Sequence, residues 1–260
     1  MNTAKLITLI EKTHYPFKSY PREACDTILF PGCAFPSQFP RTMDRLSELC
    51  RQAGFGIIYD CCGDPLEGFG KEADSLRVLK NLDRRLGRLG CKRLVLVCPT
   101  CRKHLEGKLS CDVVTIYDVI GELDVDLPES VGEGSLHIPC PDKKSRLLEG
   151  KMRGLSDFDQ VRTISKAGCC GLRADLASRG PEYVKKLSNI IINSADGGML
   201  YTYCASCLGQ FSRMGYNDCR HVVSVLLGVD EEPDSGRALM NRAKRKFDRN
   251  TNPAVAAGSR

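Results

Sequence analysis

Cysteine is the chemically conspicuous residue of this chain: 15 of 260 residues, an odd number, beside only 4 histidines and no tryptophan. At two places thiols stand side by side ahead of a glycine, Cys61-Cys62-Gly63 and Cys169-Cys170-Gly171. A single cysteine precedes each pair, Cys33 or Cys140, and a Cys-x-x-Cys follows it, Cys98 with Cys101 or Cys204 with Cys207. The spacers are 27 and 28 residues before the pair and 34 and 32 after its glycine, and corresponding cysteines are offset by 106 to 108 residues. Five cysteines repeated in order and spacing mark an internal duplication of domain size, so two similar lobes are expected rather than a solenoid.

Three chemistries suit such thiols. Disulfides fit badly, because adjacent cysteines bridge one another only through a strained ring and no export signal is apparent. Zinc is compatible with the Cys-x-x-Cys half-sites, but it takes four ligands where each repeat offers five. Neighbouring residues such as Cys61 and Cys62 also point differently and do not easily serve one tetrahedral ion. A multi-iron cluster meets both objections, since adjacent thiolates can take different irons and a fifth can complete an asymmetric cluster. Gly63 is then expected to let the backbone turn sharply and approach inorganic sulfide, which a Cβ would prevent.

The elements that must position these thiols are legible around them. "DTILFPGC", "GIIYDCCG", "KRLVLVCPTC", "GSLHIPC" and "GGMLYTYCASC" each bring a short apolar run to a cysteine, the pattern of buried strands. Helical periodicity lies between them. Met43, Leu46, Leu49 and Ala53 share a face over 41–53, and Leu76, Leu79, Leu82, Leu86 and Leu89 share one over 73–89. In 181–195, Pro181 is placed to open a helix whose Val184, Leu187, Ile190 and Ile191 point inward. The fold class expected is α/β: two similar lobes from the duplication, each a small, mostly parallel sheet flanked by helices. Ligands of such sheets collect beyond the carboxyl ends of the strands, where these cysteines stand. The weak stretch is 141–165, with a faint helix and a poor strand in "VRTIS". Boundaries follow: an extension at 1–24, domains at 25–125 and 132–228 separated by the acidic, breaker-rich 121–135, and a charged carboxyl-terminal segment at 229–260. In that segment "SGRALMNRAKRKFDR" reads as a basic helix with a solvated face and "NTNPAVAAGSR" as a loose tail.

The doubled pattern resembles the cysteine-rich CCG-domain iron–sulfur family, typified by the disulfide-reducing component of heterodisulfide reductase. The likeness rests on "LFPGC" at 29–33, "DCCG" at 60–63, "CPTC" at 98–101, "AGCCG" at 167–171 and "CASC" at 204–207, and extends over about 27–228. It implies a non-cubane 4Fe–4S cluster on Cys33, Cys61, Cys62, Cys98 and Cys101, and another on Cys140, Cys169, Cys170, Cys204 and Cys207. It also implies a disulfide substrate between the two clusters, with Cys62 and Cys170 the candidate catalytic thiols acting through them. Both first spacers are shorter than is usual in the family, and 141–168 has lost helix, so cluster binding carries over better than substrate. Neither a ferredoxin-type cysteine run nor a Gly-x-Gly-x-x-Gly fingerprint is present, so electrons must come from a partner, a ferredoxin-like iron–sulfur subunit or a flavoprotein subunit. Two further readings stay open. One is a carrier passing electrons from a dehydrogenase to a quinone or another acceptor; the other is a zinc-stabilised scaffold.

The remaining composition narrows little. A formal net charge of +6, scattered along the chain, gives no reason to expect nucleic acid. No apolar stretch approaches the roughly 20 residues of a membrane span. The opening "MNTAKLITLIEKTHY" lacks a secretory signal's apolar core, and a cytoplasmic protein is expected. Cys25, Cys50, Cys91, Cys111 and Cys219 show no partner spacing and read as core thiols. His104 and His137 could hydrogen-bond a cluster sulfur, although a structural role is the simpler reading, and His221 reads as structural. Arg102, Lys103, Lys143, Lys144, Arg146 and Arg173 stand near the cysteine sets, where they could meet an anionic thiol compound or simply face water.

Overall fold

Two four-stranded sheets, each parallel throughout, are built from eight short strands of this chain. The computed structural model describes residues 3–165, 168–248 and 251–253. The first half runs α1 (Thr3–Thr13), β1 (Thr27–Phe30), α2 (Phe35–Gln38), α3 (Pro40–Gln52), β2 (Gly56–Ile57), α4 (Asp64–Glu67), α5 (Glu72–Arg88), β3 (Arg93–Leu96), α6 (Pro99–Leu105), β4 (Asp112–Thr115) and α7 (Ile116–Val119). The second runs β5 (Gly134–Leu136), α8 (Leu147–Arg153), β6 (Val161–Thr163), α9 (Ala174–Ala177), α10 (Pro181–Ser194), β7 (Leu200–Thr202), α11 (Ala205–Arg213), β8 (Cys219–His221), α12 (Val222–Leu226) and α13 (Ala238–Lys246).

The strand orders are β2-β1-β3-β4 and β6-β5-β7-β8, the same arrangement twice, as a duplication requires. The strands are apolar runs because helices cover both faces of a parallel sheet. Ile28, Leu29, Phe30, Leu94, Val95 and Leu96 are all buried, as are Leu136, Leu200 and Tyr201. In each sheet the chain first moves to one side of the central strand and then crosses to the other. The connections after β1 and β3, and after β5 and β7, therefore diverge and leave a crevice at the carboxyl ends.

The long helices carry the expected stripes with two corrections. Leu79, Leu82 and Leu86 of α5 are buried, but Leu76 is exposed, and Ser75 and Val78 occupy the inner positions. Steps of three residues fall short of a turn, so Leu76 is rotated about 120° from Leu82 around the helix. In α10, Ile191 is buried and Ile190 is exposed, with Ser188 inward instead. In 141–165 the chain forms only the seven-residue α8, followed by the three-residue edge strand β6.

The chain divides into two compact units that are interleaved in sequence. One comprises Met1–Cys33, Leu46–Asp124 and Arg242–Arg260, the other Ala34–Arg45 and Val125–Asn241. In the first unit α1 packs Leu9 against Leu66 and Val78. The charged carboxyl-terminal segment belongs to the same unit by specific contacts. Arg242 pairs with Glu11 and lies over the Phe17 ring, and Arg245 is buried over Tyr59. The basic helix face is thus partly interior rather than solvated. The Thr251 carbonyl accepts the Ile57 N–H at 2.8 Å, so 251–253 are not a loose tail; 254–260 lie outside the described residues. In the second unit the inserted 34–45 stacks Phe35 and Phe39 around His221, and Thr42 is held by the Glu231 carboxylate. Among the described residues no helix is long and apolar enough to cross a membrane.

Candidate metal centres

The parallel topology delivers the cysteines of each set to one edge of their sheet. In the first unit Cys33 follows β1, Cys61 and Cys62 follow β2, and Cys98 follows β3 as the N-cap of α6, whose first turn holds Cys101. Their thiols are neighbours in a continuous row, Cys33 beside Cys61, Cys61 beside Cys62, Cys62 beside Cys101, and Cys101 beside Cys98. In the second unit Cys140 follows β5, Cys169 and Cys170 follow β6, and Cys204 caps α11 with Cys207 in its first turn. The row recurs in the same order, Cys140 to Cys169, Cys169 to Cys170, Cys170 to Cys207, and Cys207 to Cys204, with Cys170 and Cys207 sulfurs 3.2 Å apart. All ten of these thiols are free of disulfides. Every cysteine proposed as a ligand is thereby brought together with the other four of its set.

Sharing protons along a buried row splits the acidities. Hydrogen bonds from Cys101 and Cys61 push the Cys62 thiol down to about 6, while Cys33 and Cys101 are pushed up. In the second set Cys169 is pushed down by hydrogen bonds from Cys140 and Cys170, and Cys140 correspondingly up. Backbone amides add to this. The Gly171 N–H donates to the Cys169 sulfur at 3.4 Å, and the Asp64 N–H donates to Cys62. Such donors favour thiolate, the form that binds metal. Among the described residues no three His, Cys, Asp or Glu side chains gather around one point as the ligands of a single ion. A row of five soft donors suits a centre of several metal atoms, each taking one or two sulfurs.

The glycines make the sharp turn expected at Gly63, and the space left by their missing Cβ lies on the helix side. Gly63 and Gly171 adopt φ of +91° and +94°, a region that favours glycine. A Cβ on Gly63 would meet the Val78 side chain at 3.2 Å, and one on Gly171 would meet the Val184 Cα at 2.9 Å. The missing Cβ therefore makes room for α5 and α10 behind the turn, while the amide side of the turn faces the sulfurs. Gly32, at φ +76°, lies against thiols of the first set, where a Cβ would meet the Cys101 sulfur at 3.0 Å and Cys98 Cβ at 3.2 Å.

Several residues around the sets gave no sequence signal. Lys12 of α1 donates to the Cys33 sulfur at 3.4 Å and to Glu11 at 3.0 Å. Burial opposes its charge, but Cys33, Cys61 and Glu11 outweigh burial and hold the ammonium protonated. Asp60 accepts from Tyr20 and, at 2.7 Å, from the Cys61 N–H; burial raises its carboxyl above the usual range. In the second unit Asp142 accepts from the N–H groups of Leu148 and Glu149 and, at 2.7 Å, from the Tyr203 hydroxyl. That network ties the loop after Cys140 to the residue before Cys204. Only spatial proximity reveals it, because Asp142 and Tyr203 are 61 residues apart.

The histidines and basic residues sort clearly. His104 is buried, 3.4 Å from the Ser75 hydroxyl, and bonds the Cys62 backbone; burial lowers its pKa. His137 is buried near Cys169, and neither ring nitrogen has a hydrogen-bond partner among the described residues. An orphaned buried imidazole beside the second set is what a bound group with acceptor atoms would satisfy. His221 accepts the Val223 N–H at Nδ1 and is structural. Arg102, Arg146 and Arg173 pair with Glu106, Glu149 and Asp175 respectively, while Lys143 and Lys144 are exposed. Of the five other cysteines, Cys25, Cys50 and Cys219 are buried, whereas Cys91 and Cys111 are half-buried neighbours at the starts of β3 and β4.

Comparison with known proteins agrees with this geometry. Residues 27–106 match the family model of the CCG cysteine-rich domain, a stretch that contains the whole first set. The match supports iron–sulfur or metal binding; the second set lies beyond it. No curated protein matches the chain. Among solved structures the chain is similar to the aspartate racemase of Picrophilus torridus, at 13% identity over 78% of this chain and 91% of that one, with a TM-score of 0.39. It is similar to the glutamate racemase of Campylobacter jejuni subsp. jejuni at 13% identity, 85% of each chain and a TM-score of 0.39. Likeness at this level carries no argument about activity.

Proposed function

We propose that this chain is an iron–sulfur subunit of a redox complex, holding one non-cubane 4Fe–4S cluster on each five-cysteine set and serving the reduction of a small-molecule disulfide. The observation that carries the reading is the repeated row of five sulfurs, in the same contact order, at the carboxyl ends of two matching parallel sheets. Bound clusters would supply one-electron steps and iron to which thiolates can bind. The protein's own residues set the conditions for that chemistry. Lys12 offsets negative charge at Cys33, backbone amides and the first turn of α11 favour thiolates, and Asp60 and Asp142 fix the loops that carry the ligands. His137 stands ready to donate a hydrogen bond toward the second set.

Electrons would come from a ferredoxin-like or flavoprotein partner, in the reducing cytoplasm, where ten free thiols stay reduced. The decisive measurement is iron, acid-labile sulfide and zinc per chain on anaerobically purified protein, with EPR during redox titration. About eight irons and eight sulfides are expected from two 4Fe–4S centres. Reversible titration with no turnover of any disulfide would replace the reductase reading with an electron carrier. Zinc with little iron after anaerobic reconstitution would end the redox reading altogether.

A further inference from the structure

The first unit has a second group of thiols at the opposite edge of its sheet from the candidate metal centre. Cys25 stands two residues before β1, Cys91 two before β3, and Cys111 immediately before β4. The chain runs from Cys91 to Cys98 along β3, so about 20 Å separates this edge from the metal-binding one. Cys25 is buried, with its thiol on the Glu23 carbonyl, whereas Cys91 and Cys111 are half-buried, packed against the same core cluster and brought side by side by the β3–β4 register.

Three anchors hold that pair. Cys91 is the closing residue of the Schellman motif that ends α5, with its N–H on the Leu86 carbonyl at 3.0 Å and Gly90 at φ +70°. Asp83 of α5 accepts from the N–H and hydroxyl of Ser110 at 2.8 and 2.9 Å, which fixes the residue before Cys111. The Asp112 N–H donates to the Lys92 carbonyl at 2.9 Å, which starts the β3–β4 ladder between the two cysteines. Both thiols are thus preorganised side by side at the starts of two adjacent strands, and neither residue is fully buried.

We propose that Cys91 and Cys111 form a reversible thiol–disulfide exchange site, separate from the metal centres, that reacts with small-molecule disulfides of the glutathione class. The Cys111 thiolate attacks one sulfur of the small disulfide, and the first small thiol leaves. Cys91 then gives up its proton, attacks the Cys111 sulfur of the mixed disulfide and expels the second small thiol. Two electrons and two protons pass from the pair to the small disulfide, which leaves as two thiols. The order of attack follows from the hydrogen bond from Cys91, which lowers the pKa of Cys111, while Cys91 itself is raised.

The duplication supplies an internal control. Cys219 opens β8 as Cys111 precedes β4, but Gly198 stands two residues before β7 where Cys91 precedes β3. Cys219 is buried, with its thiol on the Tyr216 carbonyl at 3.4 Å, and the glycine gives it no resolving thiol at that place.

The test uses the full chain, purified anaerobically with its metal, exposed to oxidised glutathione, quenched in acid, alkylated and mapped by mass spectrometry. Cys91 and Cys111 are expected to leave the alkylated pool together as a linked peptide pair, at least about tenfold ahead of Cys219, with dithiothreitol restoring both and iron content unchanged. Cys91→Ser, and independently Cys91→Ala, should abolish the link and leave Cys111 as a persistent glutathione adduct. The proposal fails if both thiols remain alkylated, if Cys91 links to Cys25 instead, or if Cys219 oxidises as readily.

Discussion

The ammonium of Lys12 lies 3.4 Å from the sulfur of Cys33, so the segment ahead of the first repeat supplies a cation to the first cysteine set. Among the described residues the second set has no matching lysine–sulfur contact. Lys12→Met is expected to weaken metal binding at the first set by about 10- to 100-fold, the usual effect of losing an outer partner of a metal ligand. In a redox titration of the two proposed clusters, the signal of the first set should move to lower potential and that of the second should stay. Equal movement of both would contradict the assignment.

The two turn glycines should differ in their response to alanine. Gly63→Ala meets the movable Val78 side chain, whereas Gly171→Ala meets the Val184 backbone. Each carries strain of about 1–2 kcal/mol from its positive φ, and the second adds overpacking of about 1–3 kcal/mol. Val78→Ala should therefore recover part of the loss from Gly63→Ala, while Val184→Ala should recover less of that from Gly171→Ala. Denaturant midpoints of the single and double variants measure this coupling.

His221 gives the second unit a pH dependence. Burial between Phe35 and Phe39 pushes its pKa down to about 3 from 6.5, so the unfolded chain binds the proton more readily. A depressed folded pKa means its contribution is complete above 6.5 and is lost as pH falls toward about 3. One such proton gives at most about 1.4 kcal/mol per pH unit. Between pH 6.5 and about 5, above the carboxylate range, His221→Asn should flatten the fall of unfolding free energy with acidity.

Substituting one thiol in each set separates the centres. On the proposed function, Cys62→Ser and Cys170→Ser should each remove about half the iron, as loss of one of the two proposed 4Fe–4S sites, and abolish any disulfide turnover. Circular dichroism should stay close to that of the parent, because the strands of each sheet do not depend on either sulfur.

Much of this site is written in short-range sequence. The cysteine spacings mark a duplication, the apolar runs announce parallel strands, and Pro181 opens α10 where a Pro at the first helical position belongs. The residues that escape such reading act over distance. Lys12 is 21 residues from Cys33 and Asp142 is 61 from Tyr203, and neither carries a local motif. Leu76 and Ile190 mislead because a stripe of leucines and isoleucines at three-residue steps drifts around the helix, so one apolar residue finishes in water. Cys91 and Cys111 look unrelated in sequence because only the β3–β4 register makes them neighbours.

The hydrogen bond from the Ile57 N–H to the Thr251 carbonyl has a temporal meaning. β2 carries Cys61 and Cys62 at its end, yet its outer edge is met by residues made almost 200 positions later. During synthesis the first five thiols emerge early, and one side of their frame is missing until residue 251 arrives. The outer edge of β2 is therefore completed only once residue 251 has been made, whereas β5 to β8 can assemble before it.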